Sequence, residues 1–148
     1  MAVGVGDKAP LFRAPLPDGT VFDLADRLGR SAVVLFFYPK DDTPICTAEA
    51  CAFRDAYEQF TAAGAEVVGV SGDTAASHAA FARRHRLPFP IVSDVDGGVR
   101  RLWGVPRTLG LLPGRVTYVI DRDGIVRLVF NSAFSSTGHV RRALEAVR

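Results

Sequence analysis

Two cysteines, Cys46 and Cys51, are the only thiols in this chain. Both fall in Pro39-Lys40-Asp41-Asp42-Thr43-Pro44-Ile45-Cys46-Thr47-Ala48-Glu49-Ala50-Cys51, directly after the apolar run Val33-Val34-Leu35-Phe36-Phe37-Tyr38. Cys46 therefore sits where a strand gives way to a helix. A thiol there lies near exposed backbone N–H groups and the positive end of the helix dipole, which favours thiolate. Thr43 offers a hydroxyl one turn earlier, and Pro44 stiffens the start of the helix. A second thiol close by can capture an oxidised sulfur as a disulfide. These residue types at this spacing point to redox chemistry at an oxidant-accessible sulfur.

Other uses of the pair fit less well. A cysteine is often a small buried hydrophobe; Cys51, within Ala50-Cys51-Ala52-Phe53, suits a packed helix face better than Cys46 does. A zinc site would have to recruit histidines, and His78, His85 and His139 show no paired spacing. They read as surface, satisfied or packing positions, His139 capping or packing the last helix. The Cys-x-x-Cys of ordinary disulfide reductases is absent. The spacing also carries a mechanical expectation. Helical positions five apart have Cα atoms about 8–9 Å from each other, whereas a disulfide tolerates at most about 7 Å. If the two sulfurs bond within one chain, the first turns of the helix must unwind.

The elements that position this segment follow from periodicity and punctuation. Phe12 and Ala14, the turn Pro17-Asp18-Gly19-Thr20, and Val21 to Leu24 predict an N-terminal β-hairpin. Val33–Tyr38 predicts a buried strand. A helix should begin at Pro44 with Thr43 as N-cap, run along Phe53, Tyr57 and Phe60, and end at Gly64. Strands are expected at Glu66–Ser71 and Phe89–Ser93, with helices from Asp73 or Thr74 to about His85 and from Asp96 to Leu102. Arg115–Ile120, the turn Asp121-Arg122-Asp123-Gly124 and Ile125–Phe130 form a second hairpin, and a last helix covers Thr137–Val147. This order implies an α/β sandwich with helices on both faces of a central sheet. Cys46 lies at the carboxyl end of the first core strand, where such sheets place their sites.

At 148 residues, 48% apolar and 23% charged, the chain reads as one globular domain spanning 1–148. The net charge of +2 and the scattered arginine clusters Arg83-Arg84-His85-Arg86, Arg100-Arg101 and Arg141-Arg142 read as solvated helix faces, with no nucleic-acid surface. No apolar run is long enough to span a membrane. The N-terminal residues have neither the basic start nor the apolar block of a signal peptide, so the expected address is the cytosol, in the cytoplasm.

The residues quoted above resemble the peroxiredoxin family. Pro39-x-x-x-Thr43-x-x-Cys46 matches its active-site pattern, and Phe37 to Cys51 is similar to the bacterioferritin-comigratory-protein (PrxQ) branch. Gly69-Val70-Ser71-x-Asp73, Ser93-Asp94, Gly104-Val105, Arg115-x-Thr117-x-x-Ile120-Asp121-x-Asp123-Gly124 and Gly138-His139 follow in the family's order, so the likeness covers about Val5 to Val147. It implies a thioredoxin-like fold, a central mixed β-sheet with helices on both faces, and an antioxidant thiol peroxidase needing no cofactor, haem or metal. Its substrates would be hydrogen peroxide and organic hydroperoxides. By resemblance, Cys46 would attack the peroxide as thiolate, Thr43 would hold the peroxide, and Arg115 would lower the thiol pKa and polarise the O–O bond. Glu49 would orient Arg115, and Pro39 would shield the pocket. Cys51 would resolve the sulfenic acid as an intrachain Cys46–Cys51 disulfide, reduced by thioredoxin or a similar dithiol protein. Two positions depart from the pattern: Ile45 replaces a common glycine, and Trp103, expected as a core or pocket-wall aromatic, stands where tyrosine is usual. The branch suggests a monomer. Rival readings are a peroxide-sensing redox switch or scaffold and a thiol–disulfide exchange protein.

Overall fold

A computed structural model describes residues 2–107, 114–133 and 135–148. Its centre is β3 (Ala32–Phe37), whose residues from Val33 onward are all buried. A strand apolar on both faces belongs inside a sheet covered on both sides. β4 (Ala65–Ser71) pairs with β3 in parallel, and β5 (Ile91–Ser93) pairs in parallel with β4. On the other side β6 (Val116–Ile120) pairs antiparallel with β3, and β7 (Val126–Asn131) antiparallel with β6. The sheet is thus mixed, in the order β5-β4-β3-β6-β7.

The two-residue period of β3 divides the core. Val33, Leu35 and Phe37 join Phe22, Val68, Trp103 and Tyr118 on one face. Val34, Phe36 and Tyr38 join Cys46, Phe53, Phe60, Phe81 and Val140 on the other. The second face carries α1 (Pro44–Asp55), α2 (Tyr57–Ala62), α3 (Ala75–His85) and α5 (Ser136–Val147). The first is covered by the short α4 (Gly98–Trp103) and by the N-terminal hairpin, β1 (Arg13–Pro15) with β2 (Val21–Asp23). Trp103 is fully buried in this layer, as expected. Helices therefore occupy both faces, unevenly. Gly19 makes the hairpin turn at φ 88°, where a side chain would be strained.

The helix expected from Pro44 to Gly64 is two helices. It breaks at Ala56 (φ −96°, ψ 4°), which turns Ala56 and Phe60 into the core and leaves Tyr57 half-buried. The stack of Phe36 on Phe53, with centroids 4.5 Å apart, pins α1 to β3. Such a pair contributes about 0.5–1.5 kcal/mol beyond the area it buries.

Candidate active site

Thr43 is the N-cap residue of α1 and Pro44 opens the helix, so Cys46 lies in its first turn. The first helical bond runs from Thr47 N–H to Thr43 O at 2.8 Å, so the N–H groups of Ile45 and Cys46 precede the intrahelical ladder. The Thr43 side chain makes no cap bond. Its hydroxyl donates instead to Lys40 O at 2.8 Å, bracing the loop ahead of the helix. Cys46 is only 1% exposed, packed in the same cluster as Val34, Phe36 and Ala50. The open sulfur anticipated above is in fact buried, because Cys46 packs in the cluster formed by α1 and the β3 residues Val34 and Phe36.

What faces that sulfur is charge. Arg115, just ahead of β6 and 4% exposed, donates from Nη2 to Cys46 Sγ at 3.1 Å. Its Nη1 donates to Glu49 Oε1 at 2.8 Å, and its Nε to Ala133 O at 3.0 Å. The guanidinium is thus held on three sides and has little freedom to leave the sulfur. Glu49 lies one turn after Cys46 and is wholly buried. Burial pushes its carboxyl up to about 7, against the opposing pull of Arg115. Its other oxygen, Oε2, has no hydrogen-bond partner among the described residues and lies 3.4 Å from Nδ1 of His139, also wholly buried. Burial drives His139 down to about 4, with its bond to Ser132 opposing and Arg115 adding to the effect.

The loop between β3 and α1 is fixed from α3. Asp41 accepts from Tyr38 Oη at 2.5 Å, from Ser77 Oγ at 2.8 Å and from His78 Nδ1 at 2.7 Å. Burial alone would raise the Asp41 carboxyl, but the bonds from His78 and Tyr38 hold it below its usual value. Asp42 adopts φ 61°, uncommon for a residue with a side chain, and pairs with Arg84 at 2.6 Å. Potential metal-ligand atoms of Asp41, Asp73 and His78 lie within 4.8 Å of one another. Protein donors already occupy both oxygens of Asp41 and Oδ2 of Asp73, which accepts from Ser71 and the Asp41 N–H, so the cluster is a hydrogen-bond network.

Arg100 supplies a second brace. Its Nη1 donates to Gly114 O at 3.0 Å and its Nη2 to Tyr38 O at 3.2 Å. One guanidinium thus joins the residue before Pro39 to the residue before Arg115. Its expected place on a solvated face was wrong: the side chain turns inward over Phe37, with its guanidinium carbon 5.6 Å from the ring centroid. Arg101 stays local, donating to Asp96 O at 2.8 Å. Pro39 is half-buried and lines a cleft of about 650 Å³ with Gly72, Asp94 and Arg100. Cys46 does not line that cleft.

The structure thus brings Cys46 and Glu49 each onto Arg115, with Thr43 and Pro39 on the adjoining loop. Cys51 lies further along the same unbroken α1, half-buried, and both cysteines are free thiols. With both on one helix their Cα atoms are about 8–9 Å apart. Sequence reasoning missed Arg100 and the part His139 takes in this cluster. The one available signal concerned His139, which falls in the matched pair Gly138-His139; Arg100 lies in none of the matched segments.

The AhpC/TSA family profile matches residues 5–129. Chloroplastic peroxiredoxin Q of Triticum aestivum is 48% identical over 147 residues, covering 99% of this chain and 67% of that protein. The Arabidopsis thaliana protein of the same name is also 48% identical over 147 residues, covering 99% and 68%. Among solved structures, peroxidoxin BcpB from Mycobacterium tuberculosis superposes with a TM-score of 0.91 at 40% identity, covering 99% of this chain and 97% of that one. Bacterioferritin comigratory protein of Xanthomonas campestris, described for alkyl peroxide reduction, gives 0.84 at 30% identity, covering 95% and 97%. These neighbours share the thioredoxin-like peroxiredoxin fold described above. The cytosolic address expected from the sequence is overturned by the curated relatives, which are chloroplastic proteins. By profile, relatives and fold alike, the chain belongs to the AhpC/TSA family, in its peroxiredoxin Q branch, and is a thiol-dependent peroxidase.

Proposed function

We propose that Cys46 is the sulfur that attacks the peroxide and that Cys51 resolves the product. The observation that carries this reading is the 3.1 Å bond from Arg115 Nη2 to Cys46 Sγ, inside a site nearly closed to water. The Cys46 thiolate attacks the terminal peroxide oxygen. An S–O bond forms, the O–O bond breaks, and the sulfur loses two electrons to the peroxide. The departing oxygen leaves as alkoxide or hydroxide and takes up one proton. Arg115 sits where negative charge moves from sulfur to the departing oxygen, the place where a fixed donor lowers the barrier most. Thr43 commits its hydrogen to Lys40, so toward a peroxide O–H its oxygen acts as acceptor. Hydrogen peroxide and organic hydroperoxides are the substrates, the latter in keeping with the alkyl peroxide activity described for the Xanthomonas campestris relative.

Cys51 then attacks the Cys46 sulfenic acid, forming the S–S bond and releasing water. About 8–9 Å of helix must shorten to less than about 7 Å, so the first turns of α1 open. That movement withdraws Cys46 and Glu49 from Arg115 and exposes the disulfide to a thioredoxin-like reductant. The same remodelling favours a second reading, in which oxidation changes the surface that a partner protein reads. Reduced protein mixed with one equivalent of peroxide tests the primary reading: a mass lower by two hydrogens and reduced helical ellipticity are expected. Retained peroxide turnover in Cys46→Ser would refute it. Partner capture by only one redox form, with slow peroxide consumption, favours the switch.

A further inference from the structure

We propose that Glu49 carries a proton on Oε2, donated toward Nδ1 of His139, while Cys46 is thiolate, and that His139 is the positioning residue holding that proton. The proposal rests on the reading of Cys46 as the attacking sulfur and adds a residue with no other role there.

The hydrogen-bond partners fix the His139 tautomer. Its Nε2 lies 2.8 Å from Ser132 O, a carbonyl that only accepts, so Nε2 bears the hydrogen. In the neutral ring Nδ1 is then a bare lone pair. Thr117 Oγ1 lies 2.7 Å from that lone pair, and Glu49 Oε2 lies 3.4 Å from it. Among the described residues the Glu49 oxygen has no other partner, and it is buried from solvent. An ionised carboxylate would turn a bare anion toward a lone pair in the interior, among the costliest arrangements a core can hold. A protonated carboxyl turns it into a donor sharing Nδ1 with the Thr117 hydroxyl, a three-centre arrangement.

Charge gives the same answer. Among the described residues, Glu49 meets Arg115 ahead of β6 and His139 on α5, and the same Arg115 also meets Cys46, one turn earlier on the helix of Glu49. A thiolate and a carboxylate together would set two anions against one buried guanidinium. With the proton on Glu49 the cluster is neutral, and Arg115 serves the sulfur undivided. The directions already given agree: burial lifts Glu49 to about 7 and lowers His139 to about 4, so the proton rests on the carboxyl.

The expected consequence is a falling limb in the pH profile. On the alkaline side, the rate of Cys46 oxidation falls by about tenfold as Glu49 deprotonates and competes for Arg115. Stopped-flow oxidation by hydrogen peroxide between pH 5 and pH 9 reads this in the whole protein. Glu49→Gln keeps an acceptor for Arg115 and a donor for His139 but cannot ionise, so its alkaline fall should vanish whatever its plateau. His139→Leu removes the acceptor that stabilises the protonated carboxyl, so its fall should move to lower pH. In Glu49→Gln/His139→Leu the leucine should change the plateau alone, since no limb remains to move. Infrared spectra of the reduced protein near neutrality should show a protonated-carboxyl band that Glu49→Gln lacks. A wild-type profile without an alkaline fall, a fall persisting in Glu49→Gln, or absence of that band would overturn the proposal. Should His139→Leu fail to fold, Glu49→Gln and the infrared band decide it. Peroxide turnover surviving Cys46→Ser would instead condemn the underlying reading, so the two failures are distinct.

Discussion

Replacing Arg115 by methionine separates chemistry from folding. The side chain has three partners: Cys46 Sγ at 3.1 Å, Glu49 Oε1 at 2.8 Å and Ala133 O at 3.0 Å. Only the first touches the reacting atom. Removing one donor from developing charge typically costs about 10²–10³ in rate, or about 2.7–4 kcal/mol of barrier. Breaking a buried pair by deleting one partner costs about 3–5 kcal/mol of stability. The lower figure applies here, because Glu49, pushed up to about 7 with its cation still in place, carries a proton and leaves no buried anion when that cation is removed. Because that carboxyl is neutral, adding Glu49→Gln to Arg115→Met should change stability little and recover none of the lost rate. Single-turnover stopped flow with hydrogen peroxide gives the rates, and urea unfolding gives the stabilities. A rate for Arg115→Met within about threefold of wild type, or a double variant that recovers rate, would refute the reasoning.

Three further outcomes are expected. Cys51→Ser should complete one fast oxidation of Cys46 and then stall, because no second thiol exists in the chain to resolve it; sustained turnover with a thioredoxin-like reductant would speak against Cys51. Arg100→Met frees the carbonyls of Tyr38 and Gly114, so kcat/KM should fall by about tenfold or more with a stability loss of about 1–3 kcal/mol; an unchanged kcat/KM would show that the two loops hold without it. Stability against pH should expose opposed titrations. Glu49 is raised from 4.5 to about 7, so its contribution is complete below 4.5 and is lost as pH rises through 7. His139 is lowered from 6.5 to about 4, so its contribution is complete above 6.5 and is lost as pH falls through 4. The two oppose each other between 4.5 and 6.5, and Glu49→Gln should reveal a steeper rise of the unfolding midpoint across that interval than wild type shows.

Much of the site was legible because it is local. Pro39, Thr43, Cys46 and Glu49 lie within one loop and two helical turns, and i, i+3 spacing alone places Cys46 and Glu49 on one side of α1. Arg115 is 66 residues from Glu49 and 69 from Cys46, and only the family likeness lifted it above a surface charge. Arg100 and His139 had nothing local to mark them. Arg100 reads the same as Arg101 beside it, yet tertiary packing turns one onto backbone carbonyls and leaves the other on the surface. The bend at Ala56 was hidden because the apolar stripe Phe53, Tyr57 and Phe60 runs across it with neither glycine nor proline to signal a break. The burial of Cys46 depends on how α1 settles on β3, which no linear pattern encodes. The strands were read closely, because β3 and β4 are long apolar runs and the Asp121-Arg122-Asp123-Gly124 turn, with Gly124 at φ 82°, fixes the β6–β7 hairpin.

The most direct measurement uses Cys51→Ser, in which Cys46 is the sole thiol. Treated with one equivalent of hydrogen peroxide in the presence of a sulfenic-acid-trapping nucleophile, it should bear one adduct on Cys46, formed as fast as the peroxide disappears. Peroxide consumed at the wild-type rate with residue 46 left unlabelled would contradict the account.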